Sequence, residues 1–248
     1  MAFAAYIICG TPRSGSTLLC DLLKQTGVAG HPNSYYRLPS IPDFVQRFGI
    51  APGEGLDFER RYLAATIKAG TGDTGMFGLR VHALSLFDLL GRLAMLYPAE
   101  RTDTARIDAA FGTTIYIRLR RHDKVAQAIS RVKAEQSGLW HRHADGSERE
   151  RLKPHEAPVY DASRLAASIA ETLEHEAVFD AWAKGQGITP LDVRYEELSD
   201  DPTAALTRIL TALGRDPVAA ARAQVQSAKL ADAVSLDWAA RYRAETSS

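Results

Sequence analysis

Eight residues near the start of the chain, Gly10-Thr11-Pro12-Arg13-Ser14-Gly15-Ser16-Thr17, constrain its fold more than any other segment. Residues 5–10 form a short apolar run that fits a buried strand. From Ser16 onward, Leu18, Leu19, Leu22 and Leu23 supply an apolar helix face, and Gly27 stands where a C-cap belongs. A strand, a glycine-bearing turn and a helix, in that order, bring backbone N–H groups of the turn and the helix start to one point. The positive end of the helix dipole adds its pull on an anion. The spacing fits the phosphate loop G-x4-G-K-[ST], except that Ser16 stands where the pattern has lysine. That lysine reaches the outer phosphates, so its absence counts against hydrolysis of a nucleoside triphosphate. The positive charge lies inside the turn instead, at Arg13, which suits a shorter anion such as a phosphosulfate.

The remaining elements alternate. Helical patterns are expected over residues 58–68, 84–97, from Asp123, over 162–184 and over 203–213, with strands over 76–81, 113–119 and 190–195. Residues 31–55, rich in proline and glycine, read as loop with short elements. Residues 138–159 lack periodicity and read as a surface loop. Strands alternating with helices predict an α/β fold, a P-loop-like three-layer arrangement with a central, mainly parallel sheet flanked by helices. No composition shift divides the 248 residues, so one domain, 1–248, is expected.

Charge and composition narrow the partners. Thirty basic residues balance thirty acidic ones, so there is no general field to hold nucleic acid or an anionic membrane. No stretch approaches the roughly 18 apolar residues needed to span a bilayer. The apolar start lacks a basic leader, which favours a cytoplasmic location. Cys9 and Cys20 form no disulfide framework and read as small core residues. His141 and His143 make an H-x-H pair, but in a polar loop this reads as solvated surface, and no metal is expected.

A second anion site is expected where the strand 113–119 meets the helix that Asp123 can cap, because Arg120, Arg121 and His122 cluster there. Two such sites in one chain, one without a lysine, fit a ligand that carries two separate anionic groups.

The stretch TPRSGSTLLCDLLKQTGVAG closely resembles the opening of the bacterial trehalose sulfotransferase family, and YIRLRRHDKVAQAISRVKAEQSGLW resembles a second segment of it. Weaker matches at FGLRVH, PLDVRYEELSDDP and DWAARYR extend the resemblance over nearly the whole chain. The resemblance implies sulfuryl transfer from 3′-phosphoadenosine 5′-phosphosulfate to a hydroxyl of a carbohydrate or glycolipid acceptor, without a metal. It implies that Thr11, Arg13, Ser14, Gly15, Ser16 and Thr17 hold the 5′-phosphosulfate. Ser130, with an arginine that is Arg121 or one of its neighbours, would then grip the 3′-phosphate. Arg13 is the candidate to stabilise the bridging oxygen as the bisphosphate leaves.

One departure bears on catalysis. The family pattern P-x-E-[FY]-[FY] corresponds to Pro32-Asn33-Ser34-Tyr35-Tyr36, so Ser34 replaces the glutamate that acts as base. A serine hydroxyl is a poor base, and Asp43, His82 and Glu135 are the replacements open at this stage. Trp140 is open between flanking a ligand and packing. A nucleotide-dependent phosphotransferase, or a non-catalytic nucleotide-binding relative, remains the competing reading. The assembly, including a homodimer, is left open by the sequence.

Overall fold

The computed structural model describes residues 3–143, 145–226 and 231–246. In chain order the elements are β1 (Ala5–Cys9), α1 (Ser16–Thr26), α2 (Ile41–Phe48), α3 (Gly55–Thr71), β2 (Phe77–Val81), α4 (Ala83–Leu96), α5 (Asp103–Phe111), β3 (Thr114–Arg120) and α6 (Lys124–Ser137). They continue with β4 (Leu139–Arg142), β5 (Glu148–Arg151), α7 (Ala162–Gly185), β6 (Leu191–Arg194), α8 (Tyr195–Asp200), α9 (Pro202–Ala212) and α10 (Ala233–Thr246).

The main sheet has the order β2-β1-β3-β6, and every pairing in it is parallel. Parallel neighbours require crossovers, and the crossovers place helices on both faces. Strand β1 shows this directly, because all five of its residues are buried. Ala5, Ile7 and Cys9 face a core shared with Phe44, Tyr62, Leu86, Leu89 and Phe179. Tyr6 and Ile8 face a second core with Leu19, Leu22, Leu206 and Ile209. This is the three-layer α/β fold expected from the alternation of elements. Cys9 and Cys20 are buried free thiols, as read from the sequence.

Two differences from the sequence reading have physical causes. Residues 138–159 are not all loop, because β4 and β5 pair antiparallel across them with two register shifts. Of their eight residues only Leu139 is buried, so the hairpin has no apolar face and no alternation to read. In α7 the sequence puts Leu165, Ile169 and Leu173 in helical register, but Leu165 is buried and Leu173 is 48% exposed, so that stripe does not continue down the helix. The inward positions farther along include Thr172, Glu176 and Phe179.

Parallel topology fixes where a ligand site can lie. All four strands end at one edge, and the segments leaving them are Gly10–Thr17, His82, Arg121–Asp123 and Tyr195. Because β1 and β3 are neighbours, the two anion segments leave the sheet side by side. In open α/β sheets ligands bind outside these carboxyl ends.

Candidate functional site at the carboxyl edge of the sheet

The turn after β1 has the geometry of an anion cradle. Gly15 adopts φ 89° as the N-cap of α1, and a Cβ there would strike the ring of Tyr195. Glycine is therefore required twice, by conformation and by close approach. Arg13 has φ 64°, and no other non-glycine residue has positive φ among the described residues. Holding an arginine in this region costs about 1–2 kcal/mol. Such strain persists where the surroundings over-determine it.

Here the surroundings clamp the side chain. Arg13 Nε donates to Ser130 Oγ at 3.0 Å on α6, and Nη1 donates to the Trp140 carbonyl at 2.7 Å on β4. Neither acceptor is charged, and Arg13 makes no ion pair among the described residues. Burial, and then the nearby Arg121 guanidinium, push the Arg13 pKa down to about 10. Arg121 lies with its guanidinium carbon 4.6 Å from the centre of the Tyr195 ring, the same ring that confines Gly15. The two segments expected to bind anions thus converge, with the two guanidiniums close enough for Arg121 to oppose the charge of Arg13.

The other loop residues are ordered around this. Thr11 is buried and its Oγ1 accepts from Gln127 Nε2 at 2.9 Å, while the same amide nitrogen donates to the Pro12 carbonyl at 2.8 Å. Ser16 is buried at the start of α1. Ser14 is fully buried and its hydroxyl has no hydrogen-bond partner. An orphaned hydroxyl and an uncompensated cation in one turn are the environment an oxyanion completes. Thr17 Oγ1 accepts from Arg80 Nη1 at 2.8 Å, and Arg80 Nε donates to Ser34 Oγ at 2.7 Å. Arg80, on β2, was not singled out in the sequence. Its position at the carboxyl end of a strand was the available signal.

The residues near Arg121 separate. Arg120 turns to Asp180, 2.8 Å away, and the backbone N–H of His122 donates to Glu196. That leaves Arg121, of the three, beside the loop. A cleft of about 520 Å³ adjoins it, lined by Arg121, Lys124, Glu176 and Arg194 among others. Asp123 caps α6 by accepting from the Ala126 N–H at 2.9 Å.

The base candidates do not assemble. Asp43 is exposed on α2 and bonds to no loop residue. Glu135 is held by Arg131 at 2.8 Å. His82 lies at the sheet edge, but burial and then the charge of Arg80 lower its pKa to about 3, and its buried Nε2 has no partner. His143 is exposed as expected, but His141 is not free surface. Its Nε2 lies 3.4 Å from Thr17 Oγ1, because the β4–β5 hairpin folds over the loop. Burial, then Arg13, lowers the His141 pKa to about 4.

Both imidazoles stay neutral in the fold while the unfolded chain takes up protons near pH 6.5. Stability rises with pH wherever the unfolded state binds more protons. Their contribution is therefore complete above about pH 6.5 and is lost as pH falls toward 4. The urea midpoint should drop between pH 7 and pH 5, and His82→Gln should flatten that drop. An identical slope in the variant would remove His82 as its source.

No group of three or more side chains suited to a metal occurs among the described residues. No described helix is long and apolar enough to cross a membrane. Residues 5–245 match the family model for Stf0 sulphotransferase. The chain belongs to the Stf0 sulphotransferase family. As a member, it is a sulfotransferase, and the reaction calls for a nucleotide that donates sulfate. The chain is 30% identical to the trehalose 2-sulfotransferase of Mycobacterium tuberculosis, over 98% of this chain and 96% of that one. It is 27% identical to the trehalose 2-sulfotransferase of Mycolicibacterium smegmatis, over 96% and 94%. Among solved structures it is similar to the sulfotransferase domain of the Synechococcus PCC 7002 olefin synthase, with 20% identity, 96% and 94% coverage and a TM-score of 0.40. A sulfotransferase from Alicyclobacillus acidocaldarius matches at 15% identity, 99% and 96% coverage and a TM-score of 0.43.

Proposed function

We propose that this Stf0 sulphotransferase moves the sulfuryl group of 3′-phosphoadenosine 5′-phosphosulfate to a hydroxyl of a carbohydrate or glycolipid, and does so in the cytoplasm. The observation that carries the donor is the convergence of Arg13 and Arg121, neither paired with a carboxylate among the described residues, on a lysine-free phosphate loop. A second phosphate, absent from a simple 5′-nucleotide, accounts for the second cation and for the Arg13–Ser130 contact that joins the two segments. A carbohydrate acceptor is supported by the two trehalose 2-sulfotransferases to which the chain is similar over nearly its full length.

The residues have separate tasks in this reading. Amides of the turn and the start of α1 hold the 5′-phosphosulfate, with the Ser14 hydroxyl gaining the partner it lacks. Arg121 and Ser130 hold the 3′-phosphate. Arg13, from inside the turn, stabilises negative charge that grows on the bridging oxygen as the sulfur–oxygen bond breaks. Positioning and charge stabilisation supply much of the acceleration of an in-line transfer of this kind. Arg80 spans Thr17 and Ser34, and so ties the donor loop to the segment that carries Ser34 in place of the family glutamate.

Calorimetric titration tests the donor. Adenosine 3′,5′-bisphosphate should bind at least tenfold more tightly than ATP with magnesium. Equal or tighter binding of ATP would overturn the assignment in favour of a phosphotransferase.

A further inference from the structure

Sulfuryl transfer needs a group to take the proton of the attacking hydroxyl. The groups around the loop can be tested one by one. Arg13, Arg80 and Arg121 are cations. Ser34 is a hydroxyl that already accepts from Arg80. Asp21 is taken by Arg149, which it meets through both carboxylate oxygens. His82, directly after β2, has its Nε2 sealed from solvent. Among the described residues, the imidazole of His141 is left with a side-chain polar contact to the loop, and the carboxylate of Glu150 stands behind it.

Resting on the donor assignment above, we infer that His141 Nε2 is the general base that accepts the acceptor's proton. Three observations place it. The ring is half-buried, yet its Nε2 meets the hydroxyl of Thr17, the last residue of the phosphate loop. Thr17 Oγ1 accepts from Arg80, so its own hydrogen is available to Nε2, and the tautomer with the proton on Nδ1 turns its Nε2 lone pair toward the loop. The carboxylate of Glu150, on the neighbouring strand of the hairpin, lies 3.5 Å from the same nitrogen and is placed to stabilise an imidazolium once formed.

The step balances without a further reactant. The acceptor oxygen forms a bond to sulfur while sulfur's bond to the bridging oxygen breaks. That electron pair stays on the 5′-phosphate of the departing bisphosphate, and the hydroxyl proton passes to His141 Nε2 and then to solvent.

The electrostatics make the base conditional on the donor. Arg13 from the turn, Arg80 from β2 and Arg149 from β5 face the ring and oppose its protonation, while Asp21 from α1 and Glu150 from β5 favour it. A bound phosphosulfate neutralises those guanidiniums, and the imidazole gains basicity when there is a proton to take.

Histidine-selective NMR titration of the full chain, with and without adenosine 3′,5′-bisphosphate, reads this directly. The His141 resonance, assigned by its loss in His141→Gln, should titrate at least one pH unit higher in the complex. In parallel, bisphosphate release from the sulfated donor is followed with trehalose and water supplied together as acceptors. His141→Gln should bind bisphosphate within about threefold of the parent and lose at least 100-fold in turnover. His141→Ala should recover part of it with added imidazole. An unmoved resonance despite saturating bisphosphate, or turnover in His141→Gln equal to the parent, overturns the inference and leaves the donor assignment standing. If the bisphosphate does not bind at all, both fall together.

Discussion

Replacing Arg13 with alanine should abolish most donor binding while leaving the fold nearly as stable as before. Arg13 is half-buried, held at positive φ, pushed by burial and by Arg121 toward losing its charge, and matched by no carboxylate among the described residues. A side chain kept only for stability would not be left in that state. Alanine at the same φ keeps most of the backbone cost. It removes the uncompensated cation but leaves Ser130 Oγ and the Trp140 carbonyl without their donor. Each such loss costs about 1 kcal/mol and opposes the gain, so the melting temperature should stay within roughly 4 °C of the parent. Binding has no such compensation. Hydrogen bonds to a charged group are worth about 1.5–3 kcal/mol, so adenosine 3′,5′-bisphosphate should bind roughly 10- to 150-fold more weakly. Turnover should fall further, by about 100- to 1,000-fold, if Arg13 has the role proposed for it, stabilising charge that appears only during the transfer. Arg13→Lys keeps the charge but loses the fork that reaches Ser130 and Trp140 together, and should restore only part of the binding. A large drop in melting temperature with binding intact would reassign Arg13 to a structural role.

The sequence disclosed the parts of this site that depend on local pattern. Gly10–Thr17 was legible because a buried strand, a small-residue turn and an apolar helix face follow one another without a gap, and the structure forms each of them there. The second segment was legible as a basic corner before a cappable helix. Only three-dimensional packing separates Arg121, stacked on Tyr195, from Arg120, which turns back to Asp180. Adjacent residues at a strand end point to opposite sides, and composition alone cannot say which side holds the ligand. Arg80 carries no distinguishing signal in the sequence, because an arginine near the end of a strand looks like any other until β2 is placed beside β1. His141 is hidden from a sequence reading for a different reason. The hairpin that carries it has charged residues on both faces, so neither its strands nor its packing over Thr17 leaves a periodic trace.

Gly15→Ala should damage stability and both halves of the donor site together. Two penalties coincide at this position. A left-handed conformation at φ 89° costs an alanine about 1–2 kcal/mol. The added Cβ also meets the Tyr195 ring, and relief of such overpacking costs about 1–3 kcal/mol more. The sum predicts a fall in melting temperature of roughly 5–15 °C for a chain of this size. The ring cannot move alone, because it carries the Arg121 guanidinium on its face and begins α8 directly after β6. Pushing it aside therefore shifts the cation assigned to the 3′-phosphate while the distorted turn withdraws the amides assigned to the 5′-phosphosulfate. Displacements near 1 Å suffice for losses of about 100-fold, which is the expected drop in bisphosphate affinity. Gly15→Ala combined with Tyr195→Ala separates the penalties. The double variant should regain the part of the melting temperature due to the clash and keep the part due to φ. Its affinity should stay low, because Arg121 has lost its platform. A Gly15→Ala chain that melts and binds like the parent would show that the turn does not hold the backbone geometry on which the donor site depends.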